Sequence, residues 1–191
     1  MEAEKEALRV FIATQLKEHS IDQRTKDSKQ ICTKLLSLEP ITRSDTVLAY
    51  YPFKGEVDIK SIFYPLLKRG KELSLPHSNS DLSLTFFTID GEFENKLVKM
   101  KWDLKEPTKE FYTPTVFDKD KKVVVLVPSV AFDLNRNRLG RGLGYYDRFF
   151  SEYKESVFTI GIAYDFQIIE TLPTNNYDIS VDLVVTPTQI F

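Results

Sequence analysis

The sequence predicts an α/β protein, a three-layer sandwich in which a mostly parallel central sheet is flanked by helices. Residues 46–51, 123–127 and 157–164 are near-continuous apolar runs of strand length, the pattern of strands covered on both faces. Segments with helical spacing alternate with them over most of the chain, as a layered α/β fold requires. The chain has 191 residues, 42% of them hydrophobic and 28% charged, which suits one soluble globular domain over residues 1–191 and excludes a disordered or collagen-like chain.

Residues 2–19 place Ala3, Ala7, Leu8, Phe11, Ile12 and Leu16 on one stripe, predicting an amphipathic helix with Lys5 and Arg9 elsewhere on its surface. A second helix is expected from a cap at Asp22, with Ile31, Cys32, Leu35, Leu36 and Leu38 inward, ending before Pro40. The buried strand at 46–51 leads into a turn at Lys54, Gly55 and Glu56. Helical spacing follows over 57–69, interrupted by Pro65 and stopped by Gly70. Strands are expected at 72–75 and 82–89, whereas 96–114 shows no clear period. The wholly apolar, β-branched run 123–127 reads as a central parallel strand. A polar loop over 134–144, a helix over 145–154, a buried strand at 157–164 and a closing strand at 182–186 complete the sheet.

Lys plus Arg number 26 against 28 Asp plus Glu, a formal charge of −2, so no overall field recruits nucleic acid or anionic lipid. The expected partners are small molecules, with any anion site local. One cysteine, Cys32, cannot form an internal disulfide, and with two histidines it cannot build a closed zinc site. No apolar run reaches membrane-span length and the N-terminus lacks an export-type core, so the reading expects a cytoplasmic protein, taken as a monomer.

Residues 138–147, RLGRGLGYYD, concentrate three of the seven glycines and two arginines between a strand and a helix. Alternating glycines let backbone approach an anion, a helix start offers unpaired N–H groups, and arginines add charge-assisted bonds. The same residues also read as a flexible turn. The segment matches neither the G-x-x-x-x-G-K-[ST] nor the G-x-G-x-x-G phosphate-binding pattern.

The run 127–133, VPSVAFD, followed by RLGRGLGYYDRFF resembles the signature of the 5-formyltetrahydrofolate cyclo-ligase (5,10-methenyltetrahydrofolate synthetase) family. Lys5, Leu8 and Arg9 near the start, Gly55 to Asp58 as Gly-Glu-Val-Asp, Trp102 before Pro107 and the closing 181–187, VDLVVTP, agree in order and spacing. The resemblance implies an ATP- and Mg²⁺-dependent ring closure of 5-formyltetrahydrofolate to 5,10-methenyltetrahydrofolate through an imidoyl phosphate, releasing ADP and phosphate. It places ATP at Lys5, Arg9 and the stretch Arg138, Leu139, Gly140, Arg141, Gly142, Leu143, Gly144, Tyr145 and Tyr146, with Arg138 and Arg141 catalytic. Substrate falls to Glu56, Trp102 and one of Tyr145 and Tyr146, and magnesium to Asp147 and Asp182. Each position also has a plain structural reading: a solvated helix face for Lys5 and Arg9, a helix-dipole charge for Glu56 and Asp147, a local backbone acceptor for Asp182, core packing for the aromatics. Ser129, Arg136 and Tyr177 depart from the family's usual Gly, Gly and His. Asn135 and Asn137 are expected to preserve the turn at Arg136, in an altered register, by tolerating left-handed backbone. Cys32 and His19 receive no role.

Overall fold

The computed structural model describes residues 1–100, 103–118 and 120–191. The chain opens with helices α1 (Glu2–Glu18), α2 (Ile21–Ser37) and α3 (Glu39–Arg43), then strand β1 (Thr46–Leu48). The cap of α2 is Ser20, whose hydroxyl accepts from the Gln23 amide, rather than Asp22, which sits in the first turn. Pro40 closes nothing by itself; it occupies the first turn of α3, where its missing N–H costs no helical bond. The expected helix over 57–69 is a 3-10 turn (Lys60–Ile62) followed by α4 (Phe63–Lys68). Pro65 lies in the first turn of α4, which explains why regular helix begins only there.

Strands β2 (Glu72–Ser78) and β3 (Leu84–Ile89) form a hairpin. Helix α5 (Phe93–Lys96) ends where the stretch without a clear period, 96–114, begins, and that stretch holds the two-residue strands β4 (Val98–Lys99) and β5 (Lys105–Glu106). There follow β6 (Val123–Pro128), β7 (Ala131–Asp133), β8 (Arg138–Leu139), α6 (Tyr145–Tyr153), β9 (Val157–Ile162), β10 (Ile168–Ile169) and β11 (Leu183–Val185). The expected loop over 134–144 is thus partly strand, because β8 pairs antiparallel with β7.

The main sheet runs β11-β9-β6-β1-β2-β3, parallel throughout except for β3 at the edge. Its two faces follow the period of two. Val47, Ala49, Val124, Leu126, Ile160 and Ile162 pack with Ile31 and Leu35 of α2 and with Phe63 and Leu66 of α4. Leu48, Val123, Val125 and Val127 pack on the other side with Phe149 and Phe150 of α6. These are the expected three layers. The small sheet β10-β7-β8 sits beside them and receives α1, where Ile12 and Leu8 meet Ala131, Leu139 and Leu172.

The chain winds from β1 to β2 in one direction and returns through β6 to β9 in the other, so β1 and β6 flank a topological switch point. A crevice opens beyond the carboxyl ends of such strands, because the connections leave in opposite directions.

Gly161 in β9 shows how tightly the sheets meet: a Cβ there would lie 2.6 Å from the Phe132 ring, which is fully buried. Gly161→Ala is expected to cost about 1–3 kcal/mol by forcing that ring aside; urea unfolding measures it, and a loss under about 0.5 kcal/mol would mean the ring yields freely.

Candidate active site

Beyond the ends of β1 and β6 lies a cleft of about 1560 Å³ whose walls include Tyr50 and Tyr51 after β1, Pro128 and Ser129 at β6, and residues 138–147. Helix α1 supplies two cations. The face carrying Lys5 and Arg9 is not a solvated surface: Lys5 is 7% exposed and its Nζ lies 2.6 Å from Asp178 Oδ2. Arg9 donates from Nε to the Gly140 carbonyl at 3.0 Å and pairs with Glu2 and Glu6. Phe11, expected inward, is 54% exposed instead. The inward face of α1 therefore runs through Lys5, Leu8 and Ile12, with cations at the cleft end and apolar side chains against the small sheet.

Gly142 and Gly144 adopt φ of +97° and +68°, backbone that only glycine enters without strain. The Arg9 guanidinium packs over Gly142, 3.5 Å from where a Cβ would stand, an ordinary contact distance, so it is the backbone conformation and not space that calls for glycine there. Gly144 caps α6 with no side chain, so the first-turn N–H groups of that helix open beside the cleft.

Arg138, carried on β8, is 8% exposed; its Nη2 donates to Asp147 Oδ1 at 2.5 Å and its Nε to the Ile179 carbonyl at 3.2 Å. Burial pulls its pKa down, and the Asp147 carboxylate opposes that. Arg141 is half exposed, rests 5.5 Å from the Phe53 ring and donates from Nη2 to Glu56 Oε1 at 2.9 Å. The Phe53 amide donates to the other Glu56 oxygen at 3.0 Å. Burial raises the Glu56 pKa, opposed by Arg141 and by that amide. Tyr145 extends its hydroxyl toward the Asn79 carbonyl, while Tyr146 packs against Phe150 and the Arg138 guanidinium. Leu139 is 2% exposed and belongs to the packing beneath the cleft.

The structure thus gathers Lys5, Arg9, Glu56 and residues 138–147 around one cavity. It does not bring Asp182 there. Asp182 stands at the entry end of β11, absent from the cleft wall, with Lys154 Nζ at 2.6 Å and the amide and hydroxyl of Thr159 at 2.7 Å. Although burial alone would raise it, those bonds hold its pKa below the usual aspartate range. Its oxygens are engaged by this local brace, which answers to the backbone-acceptor reading and leaves Asp147 as the metal candidate in the cleft. Trp102 lies outside the described residues. Sequence reading missed Asp178, the partner of Lys5, and His77 and Glu106, which line the far end with His77 Nδ1 3.1 Å from Glu106 Oε2. Charge alone marks none of these.

Ser129 avoids positive φ and turns its hydroxyl to the Leu139 carbonyl at 2.7 Å, so it replaces glycine without strain. Arg136 itself takes the left-handed position, at φ +65°, while Asn135 and Asn137 do not, contrary to the expectation. Tyr177 is 84% exposed.

Fold and cleft define the class, an α/β protein with a candidate ligand cleft at the sheet's switch point. The family model for the 5-formyltetrahydrofolate cyclo-ligase family matches residues 1–187. A 5-formyltetrahydrofolate cyclo-ligase of Escherichia coli is 30% identical over 173 residues, covering 89% of this chain and 93% of its own. The solved structure of an Aquifex aeolicus 5,10-methenyltetrahydrofolate synthetase superposes with a TM-score of 0.79 at 33% identity, over 97% of this chain and 91% of that one. One from Mycoplasma pneumoniae gives 0.76 at 26% identity, over 96% and 98%. The chain belongs to the 5-formyltetrahydrofolate cyclo-ligase family and is a ligase.

Because Arg141 counteracts the upward push of burial on Glu56, Arg141→Ala is expected to raise the Glu56 pKa further. A buried acid with a raised pKa binds its proton more tightly folded than unfolded, so its stability contribution is present at low pH and is lost as pH rises through the folded pKa. The variant should lose more stability than the parent between about pH 4 and neutrality. Superimposable stability-versus-pH curves would show that the pair does not hold Glu56.

Proposed function

We propose that this protein converts 5-formyltetrahydrofolate to 5,10-methenyltetrahydrofolate with ATP and Mg²⁺, releasing ADP and phosphate. The observation that carries the reading is the meeting, in one cleft, of the glycine-rich 138–147 segment with cations from α1 and the Glu56 turn. The formyl oxygen attacks the γ-phosphorus of ATP and ADP departs, giving an imidoyl phosphate. Nitrogen 10 then attacks the activated carbon, its proton passes to solvent, and phosphate leaves with the electrons of the broken C–O bond. Such chemistry asks chiefly for positioning and charge neutralisation. Lys5, Arg9, Arg138 and Arg141, with amides of Gly140 to Tyr145, hold the phosphates; Glu56 accepts pterin N–H groups; Tyr145 offers a ring to the folate.

Among the described residues no three His, Cys, Asp or Glu are grouped to hold a metal. Asp147, on the cleft wall, fits Mg²⁺, which commonly takes one or two carboxylates and completes its shell with phosphate and water. When bound, the ion supplies charge neutralisation at the phosphates. The same reading takes the protein as a cytoplasmic monomer without nucleic-acid or membrane partners, and the charge of −2 supports the last two points alone.

Absorbance of the methenyl product tests the reaction: a rise that needs protein, 5-formyltetrahydrofolate, ATP and Mg²⁺ together is expected. No rise with folate still bound would make the protein a folate-binding module. Arg141→Ala is expected to lower kcat by about 10²–10³-fold with folate affinity changed far less, and wild-type turnover in that variant would remove Arg141 from catalysis. Asp147→Asn should raise the Mg²⁺ concentration needed for half-maximal rate; an unchanged titration would return Asp147 to its structural partner Arg138.

In the free protein Arg141 and Glu56, assigned to different substrates, hold each other. Drawing Arg141 onto phosphate leaves the buried Glu56 carboxylate seeking a donor, which the pterin provides. A non-hydrolysable ATP analogue should therefore tighten 5-formyltetrahydrofolate binding by about 5–150-fold, and the reverse by the same factor. Calorimetry in both orders checks this, and equal affinities with and without the analogue would refute the coupling.

A further inference from the structure

The most completely buried carboxylate beside the cleft does not line it. Asp133, at the end of β7, is 0% exposed, and among the described residues no cation pairs with it. Four N–H groups satisfy it instead. Oδ1 accepts from the Asn135 and Asn137 amides at 2.9 Å each; Oδ2 accepts from Asn137 Nδ2 at 2.9 Å and from the Leu172 amide at 3.0 Å. A fully buried carboxyl group is tolerated only where its oxygens find donors, so the segments that carry those donors are held to it.

Those donors belong to two segments. One is the turn that reverses β7 into β8, keeps Arg136 at φ +65° and delivers Arg138 two residues later. The other begins at Leu172 and runs to Asp178, the partner of Lys5, and Ile179, whose carbonyl accepts from Arg138 Nε. We propose that Asp133 is a positioning residue for the phosphate end of the cleft: by fastening these two segments together it sets Arg138 directly and Lys5 through Asp178. The proposal rests on the reading that these cations serve ATP.

Asp133→Asn replaces one acceptor oxygen with a donating NH₂, so N–H groups on one side of the carboxylate lose their acceptor. The expected result is a KM for ATP, and an ATP dissociation constant by calorimetry, raised about 10–100-fold, with the KM for 5-formyltetrahydrofolate within about twofold. Asn137→Ala, which removes only the side-chain bond, should shift ATP the same way by about 2–5-fold and serves as the test if Asp133→Asn does not fold. Arg136 lies off the cleft wall, so Arg136→Gly alone should leave the kinetics unchanged. Combined with Asp133→Asn it should recover roughly tenfold in ATP affinity, because glycine enters the left-handed turn without the hold that Asp133 supplies. A lowered Tm with both KM values unchanged, parallel rises in the two KM values, or no rescue by glycine would overturn the positioning role. Failure of wild-type protein to bind ATP would instead strike the functional reading, and this proposal with it.

Discussion

Burying a cation in a protein demands a partner, and the cleft is organised by that demand. Arg138 is almost wholly enclosed, and a guanidinium in that position is tolerable only against a carboxylate with further acceptors nearby. Asp147 on α6 and the Ile179 carbonyl provide them, so one ion pair locks the short strand β8 to the helix that follows it. The glycine-rich turn between the two is consequently pinned at both ends. Its open amides are presented by a rigid frame, which is what binding energy needs if it is to go into positioning a phosphate rather than ordering a loop.

The same principle extends around the cavity. Lys5 meets Asp178, Arg9 meets Glu2 and Glu6, and Arg141 meets Glu56. The free cleft is nearly self-neutral, consistent with a chain whose formal charge is only −2. Under the proposed function, a polyanionic ligand would exchange partners with these carboxylates rather than enter a bare positive pocket. The differences in exposure grade that exchange: the half-exposed Arg141 is free to turn toward a ligand once Glu56 finds another donor, whereas Arg138 and Lys5 are held in place by their buried carboxylate contacts.

Placement of the cleft follows from topology. The switch point between β1 and β6 puts the Tyr50–Tyr51 end of one strand beside the Pro128–Ser129 end of the other. Helix α1, remote in sequence from both, reaches the site because Ile12 and Leu8 dock on the small sheet and leave Lys5 and Arg9 overhanging the cavity.

Much of this was legible in the sequence, for physical reasons. Apolar runs without alternation, of strand length and rich in β-branched residues, read as strands covered on both sides, so the three layers and the central place of β6 followed from local pattern. The 138–147 segment advertised a backbone built for close approach. What local pattern could not carry was pairing across distance. Whether Lys5 faced water or the interior, whether Asp182 looked into the cleft or braced Lys154 and Thr159, and which carboxylate held which cation depend on contacts between residues as far as 173 positions apart. Charged side chains carry no periodic signal of burial, because the partner that makes burial tolerable lies on another element. The sequence by itself determined the strands, the layers and the glycine-rich turn; tertiary structure alone decided the ion-pair partners and the inward face of α1, since desolvation and pairing exist only once the elements have met.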